Sequence, residues 1–460
     1  MSFGHLVKIS LGTIAASVFA LGLGCASKPT KAAEKPPVPV VAKPASVTPP
    51  PAPASVVTVA PPREVLPPVM LGIDVLEAEK FAAIAGKKIG LLTHPAGVNR
   101  RGESTVDVIR RAPNAKLVAL FAPEHGLWGL DKAGDNFADT VDKRTGLPVY
   151  SLHGKTRKPT KEMLKGIDAL VIDLQDIGSR SYTFISCLRY TMEACFENGV
   201  EVIVLDRPNP LGGLKVDGPP LDADYVSYIG AFRVPYVHGL TMGELARMAK
   251  NAPNVMAVTE KVRAKGRLTV VPMRGWNRAM RWTDTGLKWI PTSPYMQDYA
   301  AVIGYPMIGL GTEIGDFKSG IGINHPFRSI SYPKKTPDEI IRELEQYRIP
   351  GIKLLKAQGI ARDGKIITGV YVDIVDYAAW RPTEFSFYLM KTAAKWSPLN
   401  PFILAATDKN SMYNKVVGSA AWAAAIRRDG GRVDVAAFIE NWSERAKIYQ
   451  QESKRYWLYP

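Results

Sequence analysis

A chain of 460 residues, 46% apolar and 22% charged, has ordinary globular composition and exceeds what one hydrophobic core usually organises. Its formal charge of +16 is spread along the sequence with no RNA-binding signature or zinc-finger spacing. That excludes nucleic acid as the expected partner and leaves an anionic polymer or a membrane face.

The three cysteines form no disulfide framework, because Cys187 and Cys195 fall on one expected helix, about 12 Å apart by helical rise. Lys8 precedes an apolar, small-residue segment from Ile9 to Gly24 that reads as a signal peptide, too short for a comfortable membrane span. Its end, Leu21-Gly-Leu-Gly-Cys25, resembles a bacterial lipobox, although Gly22 stands where leucine is usual. Residues 1–25 are therefore expected to direct export, with lipidation at Cys25 giving a periplasmic or cell-envelope lipoprotein anchored to a membrane. Residues 26–68 are rich in Pro and Ala, including Thr48-Pro-Pro-Pro-Ala-Pro53, and cannot bury enough surface to offset ordering entropy. They read as a semi-rigid linker reaching on the order of 100 Å at ~3.1 Å per residue.

From residue 69 to 288 strands and helices alternate. Strands are expected at 87–93, 116–121, 148–152, 168–174 and 201–205, with helices at 104–111, from Thr160 to Leu164, and at 184–198 closed by Gly199. Repeated strand–helix–strand units imply the α/β class with a doubly wound parallel sheet. Thr241 with Glu244 has capping-box spacing at the start of a further helix. Residues 289–460 read as a second, smaller α/β unit, with helices at 336–347, 382–395 and 434–454 and a strand at 366–375.

Polar residues fall at or just after the carboxyl ends of the first unit's strands: His94; Glu124 with His125; His153; Asp173, Gln175 and Asp176; Asp206, Arg207 and Asn209. Open α/β sheets bind ligands on that edge, so these residues are expected to share one rim. Each alone has a duller account, such as a loop hydrogen bond or the pairing of Asp206 with Arg207, and only the convergence favours a cleft. In Phe121-Ala-Pro-Glu-His-Gly126, Pro123 stiffens the loop and Gly126 permits a turn. The first strand–helix turn lacks Gly-x-Gly-x-x-Gly, disfavouring dinucleotide binding, and no Gly-x-Ser-x-Gly elbow occurs. No His-Glu-x-x-His or cysteine pair has metal spacing, so no cofactor or metal is expected and a metal-dependent hydrolase is the weakest reading.

The 121–126 motif, Asp173-Leu-Gln-Asp-Ile-Gly-Ser-Arg-Ser-Tyr-Thr-Phe184, Leu205-Asp-Arg-Pro-Asn-Pro-Leu-Gly-Gly213, Val216-Asp-Gly-Pro219, Val237-His-Gly-Leu-Thr-Met-Gly-Glu-Leu-Ala246 and Trp289-Ile-Pro-Thr-Ser-Pro294 together resemble the exo-β-N-acetylmuramidase NamZ family. The resemblance covers nearly everything after the linker. It implies a Rossmann-like catalytic domain, a smaller C-terminal α/β domain, and release of N-acetylmuramic acid from the non-reducing end of peptidoglycan fragments. It also implies Glu124 as the principal catalytic carboxylate. The run from Leu310 to Phe327 departs from the family's usual Glu-Gly-Thr-Asn and Ser-Glu-Gly-Arg-Gly-Thr.

Glycosidic cleavage needs an acid for the leaving oxygen and a second group to assist attack. Glu124 suits the first role, with His125 or Tyr182 orienting it or the water, and Asp176, Asp173 and Asp206 compete for the second. Arg180 and Arg207 are candidates to grip the lactyl carboxylate, their alternative being internal pairing, and His94, Asn209 and His238 are further substrate-binding candidates. Trp276, Trp282 and Trp289 could form a sugar platform, though core packing is the expectation for at least two. The runner-up function is a tethered, non-catalytic muropeptide binder.

Overall fold

The computed structural model describes residues 67–129, 137–408 and 410–460. The expected signal peptide, Cys25 and nearly all of the linker lie outside the described residues.

The first sheet has seven strands, β1 (Lys88–Thr93), β2 (Lys116–Ala122), β3 (Thr140–Val141), β4 (Pro148–Ser151), β5 (Ala169–Asp173), β6 (Glu201–Leu205) and β7 (Leu268–Val271), in the order β3-β4-β2-β1-β5-β6-β7. All pairings are parallel except β3 against β4. Between their ends the central strands are apolar, because both their faces are covered. Successive side chains alternate between two cores: Ile89, Leu91, Ala169, Val171, Ile203 and Leu205 join one, while Leu92, Leu170, Ile172, Val202 and Val204 join the other. Helices Gly72–Ala78 and Thr105–Arg110 contribute to the first core, and Phe184–Glu197 and Met242–Asn251 to the second, which makes the sheet doubly wound. β1 has β2 on one side and β5 on the other, so the loops leaving β1 and β5 diverge and open a crevice at the carboxyl rim.

The helices start where the side chains allow. Ser104 Oγ accepts from the Val106 amide, and Thr241 and Glu244 form the expected capping box. The stretch from Thr160 to Leu164 folds as turns, a correction to the expected helix. Its apolar positions are too few to hold a helical face on the sheet.

The second sheet, β8 (Lys318–Ser319), β9 (Ser329–Ser331), β10 (Ile352–Ile360) and β11 (Ile366–Ile374), is antiparallel in the order β10-β11-β9-β8. Helices Pro337–Glu345 and Glu384–Trp396 pack with it, and their core takes in Leu211, Tyr236 and Val237 from the first part of the chain. Residues 64–460 thus form one compact unit. The chain end returns to the first sheet: Tyr459 donates to Asp206 at 2.6 Å and the Leu458 amide to Glu244 at 2.9 Å.

Candidate active site

Glu124 and His125 follow β2 in a turn closed by the Gly126 amide on the Pro123 carbonyl at 3.0 Å. His125 has φ of 73°, a left-handed conformation that a side chain adopts only at a cost and that clusters at functional sites. Glu124 Oε2 accepts from Thr183 Oγ1 at 2.7 Å, and Oε1 lies 3.6 Å from His153 Nε2. Thr183 is the N-cap of Phe184–Glu197 but its hydroxyl makes no capping bond, so it is available to the carboxylate.

Arg157 Nη1 lies 2.6 Å from His153 Nδ1 and 3.0 Å from Nε2. A guanidinium only donates, so the nearer ring nitrogen accepts and Nε2 carries the proton toward Glu124. Burial pushes the His153 pKa down; Glu124 opposes this, and Arg157 and His125 add to it. His94 is buried against Phe184 and accepts from the Gln175 amide at 2.9 Å through Nε2, which leaves Nδ1 as a buried N–H with no hydrogen-bond partner. Burial, then the charges of Arg207 and His125, hold it well below the usual imidazole range.

Asp176 lies in a second cluster on the β5 loop. Its Oδ2 accepts from the Gly178 amide at 2.7 Å and stands 3.5 Å from His238 Nε2, while Oδ1 is buried without a hydrogen-bond partner. His238 Nδ1 accepts from the Leu240 amide at 3.2 Å, so its Nε2 also carries a proton toward a carboxylate. Tyr182 donates to Thr292 at 2.8 Å and meets Phe184 and Tyr305 edge-on. Its phenol is pushed up by burial and, secondarily, by Asp176.

Other expected site residues are structural in this arrangement. Asp173 is fully buried and forked onto Arg207, with Thr105 donating to it as well. Asp206, equally buried, accepts from Thr241, the Gly243 amide, the Arg207 amide and Tyr459, and burial raises its pKa to about 6. A Cβ on Gly243 would come within 2.8 Å of the Asp206 carboxyl carbon, so only glycine lets the helix end approach this closely. Asn209 holds the Leu240 carbonyl and the Leu211 amide.

Arg180 has no exposed surface and donates to the carbonyls of Pro219, Val234, Val416 and Val417. It therefore joins the two lobes and cannot meet a sugar carboxylate, a correction to the expected grip. Arg207 is half-committed: Nε and Nη2 serve Asp173 and the Val98 carbonyl, and Nη1 has no partner among the described residues. Trp276 packs against Tyr459, and Trp282 against Trp289, as core-type contacts.

Thr183, Arg157 and Tyr305 stand beside the expected residues and carried no expectation in the sequence. Tyr305 opens a π-helical turn at Tyr305–Gly309 that contains Pro306, and its hydroxyl lies 3.1 Å from Ser181 Oγ. A proline inside an apolar helical run was the available signal for that irregularity. Burial raises the Tyr305 phenol; Glu313 and Glu124 both add to the rise. Among the described residues, no group of three or more His, Cys, Asp or Glu side chains is placed to hold a metal ion.

A doubly wound sheet with carboxylate–imidazole pairs on its carboxyl rim, fused to a smaller antiparallel lobe, defines a two-lobed α/β protein with an acid–base site. Family models described as exo-beta-N-acetylmuramidase NamZ, N-terminal and C-terminal, match residues 89–300 and 303–459. The chain belongs to this family. It is 36% identical over 399 residues to the peptidoglycan beta-N-acetylmuramidase NamZ of Bacillus subtilis (strain 168), covering 85% of this chain and 92% of that protein. Crystal structures of two DUF1343 family proteins from Bacteroides fragilis NCTC 9343 share the fold. One has 37% identity and a TM-score of 0.75, the other 25% and 0.60, each covering 85% of this chain and 99% of its own.

Proposed function

We infer that this protein is an exo-acting glycoside hydrolase that releases terminal N-acetylmuramic acid from peptidoglycan fragments. The observation that carries the mechanism is the position of Glu124, on a strained turn between the Thr183 hydroxyl and the protonated nitrogen of His153. Glu124 delivers the proton to the glycosidic oxygen, and His153 and Thr183 fix which oxygen faces the bond. Asp173 and Asp206 are enclosed and fully engaged, so Asp176, with an unpartnered Oδ1 and His238 behind it, is the second carboxylate. It assists attack at the anomeric carbon, by water or directly. Tyr182, beside Asp176, and His125, beside Glu124, border the reacting atoms.

Export and lipidation at Cys25 are proposed on the segment ending in Leu21-Gly-Leu-Gly-Cys25, which puts the enzyme in the cell envelope beside its polymeric substrate. A chromogenic β-glycoside of N-acetylmuramic acid tests the activity. Turnover with release of the free sugar is expected, while saturable binding without release would make the protein a muropeptide binder.

A further inference from the structure

A cavity of about 170 Å³ lies at the loops leaving β1, β5 and β6, and neither His94 nor Glu124 lines it. Every charged side chain that lines it is basic: Arg100, Arg101, Arg207 and Lys288. Arg207 brings its unpartnered Nη1, and Lys288 makes no hydrogen bond or ion pair among the described residues. Gln175, also in the wall, donates through Nε2 to the carbonyls of Asp176 and Pro208, which fixes the orientation of the amide. Its Oε1 is left buried with no hydrogen-bond partner, an acceptor waiting for a donor. Trp282, Val98 and Leu287 supply apolar wall.

We propose that this cavity is a binding site for a small carboxylate carrying a neutral hydrogen-bond donor on the adjacent carbon, as in a 2-hydroxy acid or an N-acylated 2-amino acid. The carboxylate meets Arg207 Nη1 with Lys288, the hydroxyl or amide N–H meets Gln175 Oε1, and the short aliphatic part lies against Trp282 and Val98. A cavity near 150 Å³ holds benzene, so a ligand of roughly six to ten heavy atoms fits. A free 2-amino acid fits poorly, because its ammonium would enter a pocket whose charged lining is already all basic. Neither Glu124 nor Asp176 lines it.

Isothermal titration of the full chain with D-lactate, N-acetyl-D-alanine, D-alanine and inorganic phosphate tests the assignment. Lactate or N-acetylalanine should saturate, and whichever binds tells the hydroxy-acid source from the acylamino-acid source. Free alanine and phosphate should bind about tenfold more weakly. Lys288→Glu, on a side chain without partners, should weaken the preferred ligand about tenfold with an unchanged melting temperature, and Glu124→Gln should leave its affinity intact. No saturable binding below about 50 mM, phosphate or free alanine matching the best carboxylate, or binding lost in Glu124→Gln but kept in Lys288→Glu would each overturn it.

Discussion

His94 is enclosed between the Gln175 amide and Phe184, where an imidazolium would have no counter-ion and would face the Arg207 charge. Its pKa in the folded protein therefore lies below the ~6.5 of the unfolded chain. The unfolded state binds the proton first, so the stability gained from the neutral ring is full above about pH 6.5 and is lost as pH falls from there toward the folded pKa. Asp206 acts in the opposite sense. With its carboxyl raised from 3.8 to about 6, it favours the folded state at low pH, a contribution that is full below 3.8 and lost as pH rises through about 6. Urea unfolding of wild type and His94→Gln across pH 4.5–7 separates the two. The variant should lose less stability on acidification than wild type, and parallel curves would mean that His94 does not titrate with unfolding.

At this scale the sequence put Glu124, His125, His153 and Asp176 just after strand ends, where the structure has them, because each follows an apolar strand. It could not separate Asp176 from Asp173 and Asp206, since all three sit just after a strand. What separates them comes from far along the chain: Tyr459 on Asp206 across 253 residues, and Thr105 and Arg207 on Asp173.

Between elements, Arg180 ties the two lobes together. One guanidinium meets carbonyls of both lobes, and Gly418, at φ 75°, leaves the room it needs, since a Cβ there would stand 2.5 Å from Arg180 Nη2. Arg180→Met should destabilise the protein by about 3–5 kcal/mol, because buried carbonyls lose a charged donor and gain no other. Denaturant unfolding reads this, and a loss below about 1 kcal/mol would show the carbonyls re-satisfied. Neither this tie nor β10 was visible in the sequence, although the strand expected at 366–375 is β11. β10 carries Lys353, Lys356 and Gln358 on a largely exposed strand, so it lacks the apolar run that marked the strands of the first sheet. The parallel strands were legible because burial on both faces makes them uniformly apolar.

For the whole molecule, the shared core of Leu211, Tyr236 and Val237 with the second lobe, and the return of Leu458 and Tyr459 to the first sheet, make the body behave as one block. With Cys25 proposed as the anchor, residues 26–68 are the proposed tether. Deleting most of residues 26–68 should leave turnover of soluble fragments unchanged and lower turnover on intact wall material severalfold. Equal loss on both would refute the tether. The account as a whole rests on Glu124 as the proton donor, and the most direct measurement is release of N-acetylmuramic acid from its chromogenic β-glycoside by wild type and Glu124→Gln at matched folded concentration. The account predicts at least about a hundredfold fall in kcat with an unchanged melting temperature. Near-normal turnover in the variant would contradict it.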